Sequence, residues 1–438
     1  VWGTWQQNAP INMIEKKIYI KLILFFTILF FYFFGFYVKE ISNGAAHTDL
    51  QLHIWIIISD FKSNFLYSFT NYIEYKEGTM PFFHIFQSFV NPFTDNVAEY
   101  TLSNTIFNLL IPLIVYFILK NKIETNLAFY ISLILLISPW FRSTSYWGTT
   151  ENFALFFVVP SLFFFEKVIN QKENYIQNNI LLIIFLSCSI YARQQYFFLV
   201  IAHVLIIFYN KYDFKSTILF FLVYLVLSLP GFLTLFIWNA HENIQVSTSN
   251  SEFISIKNIF NNVIIISNLL LYYSIPLIFL NLKKTLKIIN IKNITYFIII
   301  FVIMLILFRN FEFPVLGGGF ILKFSKLVLN GNIYFLIFTS SLFLSFLIFI
   351  YDKKFIRYYI ILFSLYLWFG LIGFIYQEWF DPFYILFLFI AISKQTLINN
   401  NFNSKHAVVT LYGWEILTLF SAIYYYHFYL KIPFMYNF

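Results

Sequence analysis

Charge and cysteine are both scarce in this chain. Only 11% of its 438 residues are Asp, Glu, Lys or Arg, against about 25% in a soluble domain, so water is not its main solvent. The single cysteine, Cys188, lies inside an apolar run, excludes an internal disulfide and reads as a small core residue. There is no Walker-type loop, no His-Glu-x-x-His, no Gly-x-Ser-x-Gly and no cluster of metal ligands. Those gaps leave no metal or cofactor to expect. The chain has no room for an α/β nucleotide-binding domain. Nor does any Gly/Ser- or Pro-rich linker, or any sustained repeat, divide it.

The bulk of the chain is apolar: 60% of residues are hydrophobic and 24% aromatic. Runs approaching the roughly 20 residues that cross a bilayer recur at about 18–38, 101–119, 127–140, 153–165, 179–192, 196–209, 217–238, 263–281, 294–308, 332–350, 357–376, 383–393 and 408–430. Several are short, so the expectation is an all-α polytopic protein with about 11 to 13 transmembrane helices. Residues 1–12 differ in character from the rest of the chain and read as an extension outside the fold; residues 13–438 read as one membrane-embedded unit. The run Ile18 to Val38 has a basic flank and no small-residue cleavage site, so it reads as a retained helix.

The net charge of +8 does not point to nucleic acid, because the basic residues are spread over short loops. With the N-terminus in the cytoplasm, Lys120, Lys122, Lys167, Lys211, Lys283, Lys353 and Arg357 fall on the cytoplasmic side, as the positive-inside bias requires. Most carboxylates, among them Glu40, Asp49, Asp60, Glu99, Glu151, Glu312, Glu378 and Asp381, fall on the other. The long loops, 39–100 above all, lie on that acidic face. The active site is expected there, with 141–152, 239–262 and 309–331 as further loops.

Asp49 is the first candidate for chemistry. It sits in His47-Thr-Asp-Leu-Gln-Leu-His53 just after the first apolar run. A group transfer to a hydroxyl needs a base for the acceptor proton, and a carboxylate on the reacting face supplies one. Asp49 and His53, four apart, share a helical face; the alternative is that Thr48 or Asp49 caps a helix, and His47 reads as a solvated loop residue. Arg193, followed by Gln194, lies between two apolar runs, where an arginine marks a functional site by default and its fork matches phosphate oxygens; a snorkelling arginine is the alternative. Glu151 is a candidate acceptor contact in Tyr146-Trp-Gly-Thr-Thr-Glu-Asn152, where Trp147 offers a flat face to a sugar ring, unless the segment is simply a turn capping the next helix. His241, in Trp238-Asn-Ala-His-Glu242, is a further acceptor contact. Gly317-Gly-Gly319, followed by Lys323 and Lys326, brings backbone amides and ammonium groups to a phosphate, or else marks a flexible turn. Gln377-Glu-Trp-Phe-Asp-Pro382 places carboxylates at a span end, with helix capping an equal reading.

In this order the residues resemble the GT-C type glycosyltransferases that use polyprenyl-phosphate sugars. Within them they look most like the family of the dolichyl-phosphate-glucose α-1,2-glucosyltransferase. That family's Asp-Glu-x-x-His is matched by Asp49 and His53, with Leu50 in place of the Glu; its Thr-x-Pro by Thr79-Met-Pro81; its Arg-Gln by Arg193-Gln194; its Trp-Asn by Trp238-Asn239. The late Arg-Tyr-x-x-x-Pro is reduced to Gln377-Glu-x-x-x-Pro382. The resemblance implies inverting transfer of a hexose, glucose favoured, from a polyprenyl phosphate to a lipid-linked glycan or other acceptor. Asp49 would be the base and Arg193 would hold the donor phosphate, with Lys323 and Lys326, read from the residues themselves, as further partners for it. A monomer among membrane lipids is expected. The abundance of Asn, Ile, Lys and Phe suggests an AT-rich genome and favours a bacterial inner membrane over the endoplasmic reticulum.

Two rival classes remain. A transporter or flippase of lipid-linked sugars would show paired repeats and polar midplane sites in broken helices, whereas here ionisable residues collect in loops on one face. An O-antigen ligase or polymerase would depend on arginines in a large late loop, whereas here the first loop is the largest.

Overall fold

The computed structural model describes residues 10–44, 46–75, 79–170, 174–237, 256–280, 290–308, 311–314, 317–349, 356–373, 375–391 and 405–432. Among them the regular structure is helical, as the apolar runs require: backbone polar groups in a bilayer are satisfied within helices. In chain order the helices are α1 (Pro10–Tyr37), α2 (Ala46–Asp49), α3 (Trp55–Ser63), α4 (Phe65–Thr70), α5 (Phe82–Phe89), α6 (Val97–Phe107), α7 (Leu110–Leu119), α8 (Thr125–Ile134), α9 (Pro139–Trp147), α10 (Thr150–Ile169), α11 (Tyr175–Ala192), α12 (Phe197–Asn210), α13 (Phe214–Ile237), α14 (Ile256–Leu280), α15 (Ile291–Leu307), α16 (Gly319–Val328), α17 (Ile333–Phe349), α18 (Ile356–Leu371), α19 (Phe383–Leu386) and α20 (Lys405–Ile423). α1 takes in residues 10–12, which the sequence assigned to an extension.

Among the described residues seven helical stretches are long and apolar enough to cross a bilayer, and α8 with α9, bent by 59°, makes an eighth if the pair is one span. Four more apolar helices, including α15, α17 and α18, fall below that length. The protein is an integral membrane protein, and α13 shows why: its most apolar window is only 6% buried, so hydrocarbon rather than protein covers it. α10 and α11 pack along each other, α12 against α18, and α14 against α17 and α18. Between them lies a continuous core of Leu, Ile, Phe and Tyr.

The segment 141–152, expected as a loop, is mostly helix. Ser138 caps the start, accepting from Phe141 N at 3.3 Å, and Pro139 occupies the first helical turn. Gly148 ends α9 at φ +59, where an added Cβ would meet the Tyr100 ring. Its polar residues are inward-facing rather than solvated: Asn152 Nδ2 donates to Phe141 O and Ser145 Oγ, both at 2.8 Å. Inside a membrane bundle a polar stretch marks the interior as readily as a loop.

Charged side chains are paired at both ends of the bundle. At one end Lys122 pairs with Glu166 at 3.5 Å and donates to Ile390 O at 2.7 Å, while Arg357 donates to Asn210 at 2.7 Å. The starts of α2 and α10 and the end of α11 stand at the other.

Candidate active site

Four separate chain segments bring charge together at that second end. Asp49 closes α2, Glu151 lies in the first turn of α10, Arg193 follows α11 as its cap, and Glu378 lies on the 3₁₀ turn Gln377–Trp379. Arg193 Nη2 is ion-paired with Glu151 Oε1 and stands 3.8 Å from Glu378 Oε1. Glu378 in turn feels the charges of Glu151 and Asp49 and is hydrogen-bonded by Asn43. Burial first, and the Glu151 charge second, push its carboxyl up to about 8. The structure therefore gathers Asp49, Glu151 and Arg193, with Gln194 beside Arg193 in the turn Gln194–Tyr196.

Arg193 is where α11 stops. Its backbone is extended (φ −155, ψ 111), so the chain leaves the helix there and re-enters one through the 3₁₀ turn before α12. Asp49 does not stand at a helix start. The chain is helical from Ala46 to Ser63, passing through a π-helical turn at Leu50–Ile54, and the Asp49 side chain makes no capping hydrogen bond. The capping reading of Asp49 is thus replaced by one in which it lies inside a continuous helical stretch, immediately before the widened turn, a feature often found at functional sites. His53 lies in that turn, half-buried, with no hydrogen bond or ion pair among the described residues.

The segment before Asp49 is held by a buried network that the sequence did not reveal. Arg142 Nη2 pairs with Glu40 Oε2 at 2.6 Å and donates to Phe31 O at 3.0 Å, and Arg142 Nε reaches Glu40 Oε1 at 3.1 Å. Ser42 Oγ donates to Pro139 O at 2.6 Å, and Ile41 N donates to His427 Nε2 at 3.0 Å. Trp147 belongs to this network. Its indole N–H donates to Glu40 O at 3.1 Å and the residue is 1% exposed, so it offers no face to a sugar; the reading of Trp147 as substrate-binding is corrected. His47 likewise is buried against Trp147, with ring centroids 5.8 Å apart, and is not a solvated loop residue. The available signal for Arg142 was a lone guanidinium within an aromatic stretch.

Lys323 on α16 faces the same cluster. Burial lowers its pKa to about 8, against the opposing pull of the Glu378 charge. Its Nζ lies 4.1 Å from the Tyr425 ring centroid and 5.3 Å from that of Tyr426. It lines a mostly apolar cavity of about 410 Å³, together with Phe320, Phe324, Gln377, Tyr425 and Tyr429 among others. Lys326 is exposed and makes no ion pair among the described residues, so α16 brings one lysine to the site rather than two. The three glycines before it are not a flexible turn. Gly317, Gly318 and Gly319 stand at φ +84, +86 and +80, a run only glycine adopts readily. They let Gly318 N donate to Ile375 O and Phe320 N to Gln377 Oε1, both at 2.8 Å. Those two amides hold the Glu378 turn and are not left for a phosphate. His241, with Trp238 and Asn239, lies outside the described residues.

Behind the site Asp381 is 2% exposed, accepts from Ser138 Oγ at 2.9 Å, and faces the buried Glu415. Burial pushes Asp381 up to about 7. The native protein therefore holds a proton there that the unfolded chain releases near pH 4, so this group's contribution to stability falls as pH rises from about 4 to 7. Thermal unfolding in detergent is expected to show Asp381→Asn with a shallower loss of stability over that window. At pH 8 it should be more stable than the parent, the upper bound being of the order of 4 kcal/mol from the size of the shift. Identical slopes for the two proteins would locate the titration elsewhere. Among the described residues no group of three or more His, Cys, Asp or Glu is arranged to hold a metal ion.

The fold and this charged cluster define a polytopic, all-helical membrane protein with a candidate polar site at one end of the bundle. Residues 80–238, about a third of the chain, match the family model described as dolichyl-phosphate-mannose-protein mannosyltransferase, and over that stretch the chain is similar to GT-C type glycosyltransferases. The match takes in Glu151 and Arg193; Asp49, Lys323 and Glu378 lie outside it. No curated protein and no solved structure matches the chain.

Proposed function

We propose that this protein transfers a hexose from a polyprenyl-phosphate donor to an acceptor at the site end of the bundle. The observation that carries the reading is the convergence of Asp49, Glu151, Arg193 and Glu378 beside the Lys323 cavity. A lipid-phosphate sugar has one anionic centre between a polar sugar and a long apolar chain. The cluster and the cavity offer cations at the boundary between a polar region and an apolar one. Asp49 is the general base that takes the acceptor hydroxyl proton as the glycosidic bond forms. Arg193 and Lys323 stabilise the phosphate as the sugar–oxygen bond breaks, and the lipid phosphate leaves with that bond's electron pair. Glu151 holds the Arg193 guanidinium in place. His53 and Gln194 line the acceptor side.

The first-loop spacing of Asp49 and His53 favours glucose, while the matched family's description favours mannose and a protein acceptor. The deciding experiment offers purified protein in proteoliposomes labelled polyprenyl-phosphate glucose and mannose, with glycolipid and protein acceptors. Transfer from one donor establishes the reaction class and the sugar together. Passage of labelled lipid across the bilayer with no transfer would overturn the reading in favour of a flippase.

A further inference from the structure

Glu378 occupies the position on Arg193 and Lys323 that an anionic ligand would need. Arg193 Nη2 stands 3.8 Å from one of its oxygens, Lys323 experiences its charge from α16, and Asn43 hydrogen-bonds it. Its other charged or titratable neighbours are Glu151, Asp49, Tyr376 and Tyr426. Its side chain is 15% exposed, so the carboxyl is within reach of the site. A phosphate brought to the same two cations meets three carboxylates, and like charges at such separations cannot all remain ionised in a desolvated site. Glu151 is committed to Arg193 by its ion pair, whereas Glu378 stands farther from it, at 3.8 Å.

We propose that Glu378 is a stand-in for the donor phosphate, and that the lipid phosphate displaces it from Arg193 and Lys323 with uptake of one proton by Glu378. The inference rests on the transferase reading above. The balance is one solvent proton added to one carboxylate oxygen, with no covalent bond to the substrate formed or broken. Burial and the Glu151 charge place the carboxyl at about 8, so the carboxylate that stands in for the phosphate, and the proton uptake on its displacement, belong to the range above pH 8. Glu378 thereby becomes a specificity-determining residue: above pH 8 its charge competes with other anions for Arg193 and Lys323 and ties donor affinity to pH.

The test is calorimetry of polyprenyl phosphate binding to the detergent-solubilised full chain at pH 9, in buffers of different ionisation enthalpy. The phosphate monoester, with its second pKa near 6, is fully ionised there and contributes no proton change. Lys323 also titrates in this range, so the comparison is made in a Lys323→Arg background. The expected result is uptake approaching one proton with Lys323→Arg and almost none with Lys323→Arg/Glu378→Gln. Affinity should fall about tenfold per pH unit above pH 8 in the first and stay flat in the second. Glu378→Gln alone, against the unmodified protein, should lose the same one proton, which guards against a background that fails to fold. Uptake unchanged by Glu378→Gln overturns the stand-in role while leaving the transferase reading intact. Failure of the unmodified protein to bind polyprenyl phosphate overturns both. Equal affinity for inorganic phosphate or phosphatidic acid overturns the assignment to the polyprenyl donor.

Discussion

Asp49→Asn is expected to slow sugar transfer by about 10²- to 10⁴-fold, the range that a positioned general base contributes, while binding of polyprenyl phosphate changes little. The substitution keeps the size and hydrogen-bonding reach of the side chain and removes only its capacity to accept a proton. Asp49 makes no helix cap that the change would break, so the folded state should survive. Single-turnover transfer measured beside donor binding separates the outcomes. A loss confined to the chemical step supports the role of base. A rise in KM with kcat retained would make Asp49 a binding residue, and unchanged kinetics would move the base elsewhere in the cluster, to Glu151 or Glu378.

Arg142→Met is expected to cost about 3–5 kcal/mol of stability, because it strands Glu40 as an uncompensated buried charge. The two side chains are only 4% and 5% exposed. The same change removes the donor to Phe31 O that fastens the end of α1 to α9, so activity should fall together with stability. The double variant Glu40→Gln/Arg142→Met leaves no charge behind and should recover most of the loss. Unfolding midpoints of the parent, both single variants and the double variant give the coupling directly. A loss in the double variant as large as in Arg142→Met would show that packing, rather than the stranded charge, is responsible.

The contrast between these two residues shows how far the sequence could be read. Asp49 stands out because a carboxylate after a long apolar run is visible in one dimension. Arg193 stands out for the same reason, between the runs that become α11 and α12. Arg142 and Glu40 are far apart in sequence, and each alone resembles an ordinary loop residue. Only the packing of α1 on α9 shows that they neutralise each other. Trp147 misleads in the opposite way: an aromatic in a presumed loop looks like a sugar platform, but the loop is a helix and its indole N–H is used by Glu40 O. Lys323 and Lys326 are equivalent in one dimension, and the orientation of α16 selects the first.

By itself the sequence determined the solvent, the all-helical class and the position of almost every apolar helix. Each of these follows from local composition: a bilayer demands apolar runs of set length, internal backbone hydrogen bonding and few charges. The tertiary structure alone decided which carboxylate meets which cation. It assigned Glu151 to Arg193, set Glu378 3.8 Å from Arg193 and within electrostatic reach of Lys323, and buried Arg142 on Glu40. Those pairings depend on contacts between residues distant in the chain, and their energies depend on burial that no single segment specifies.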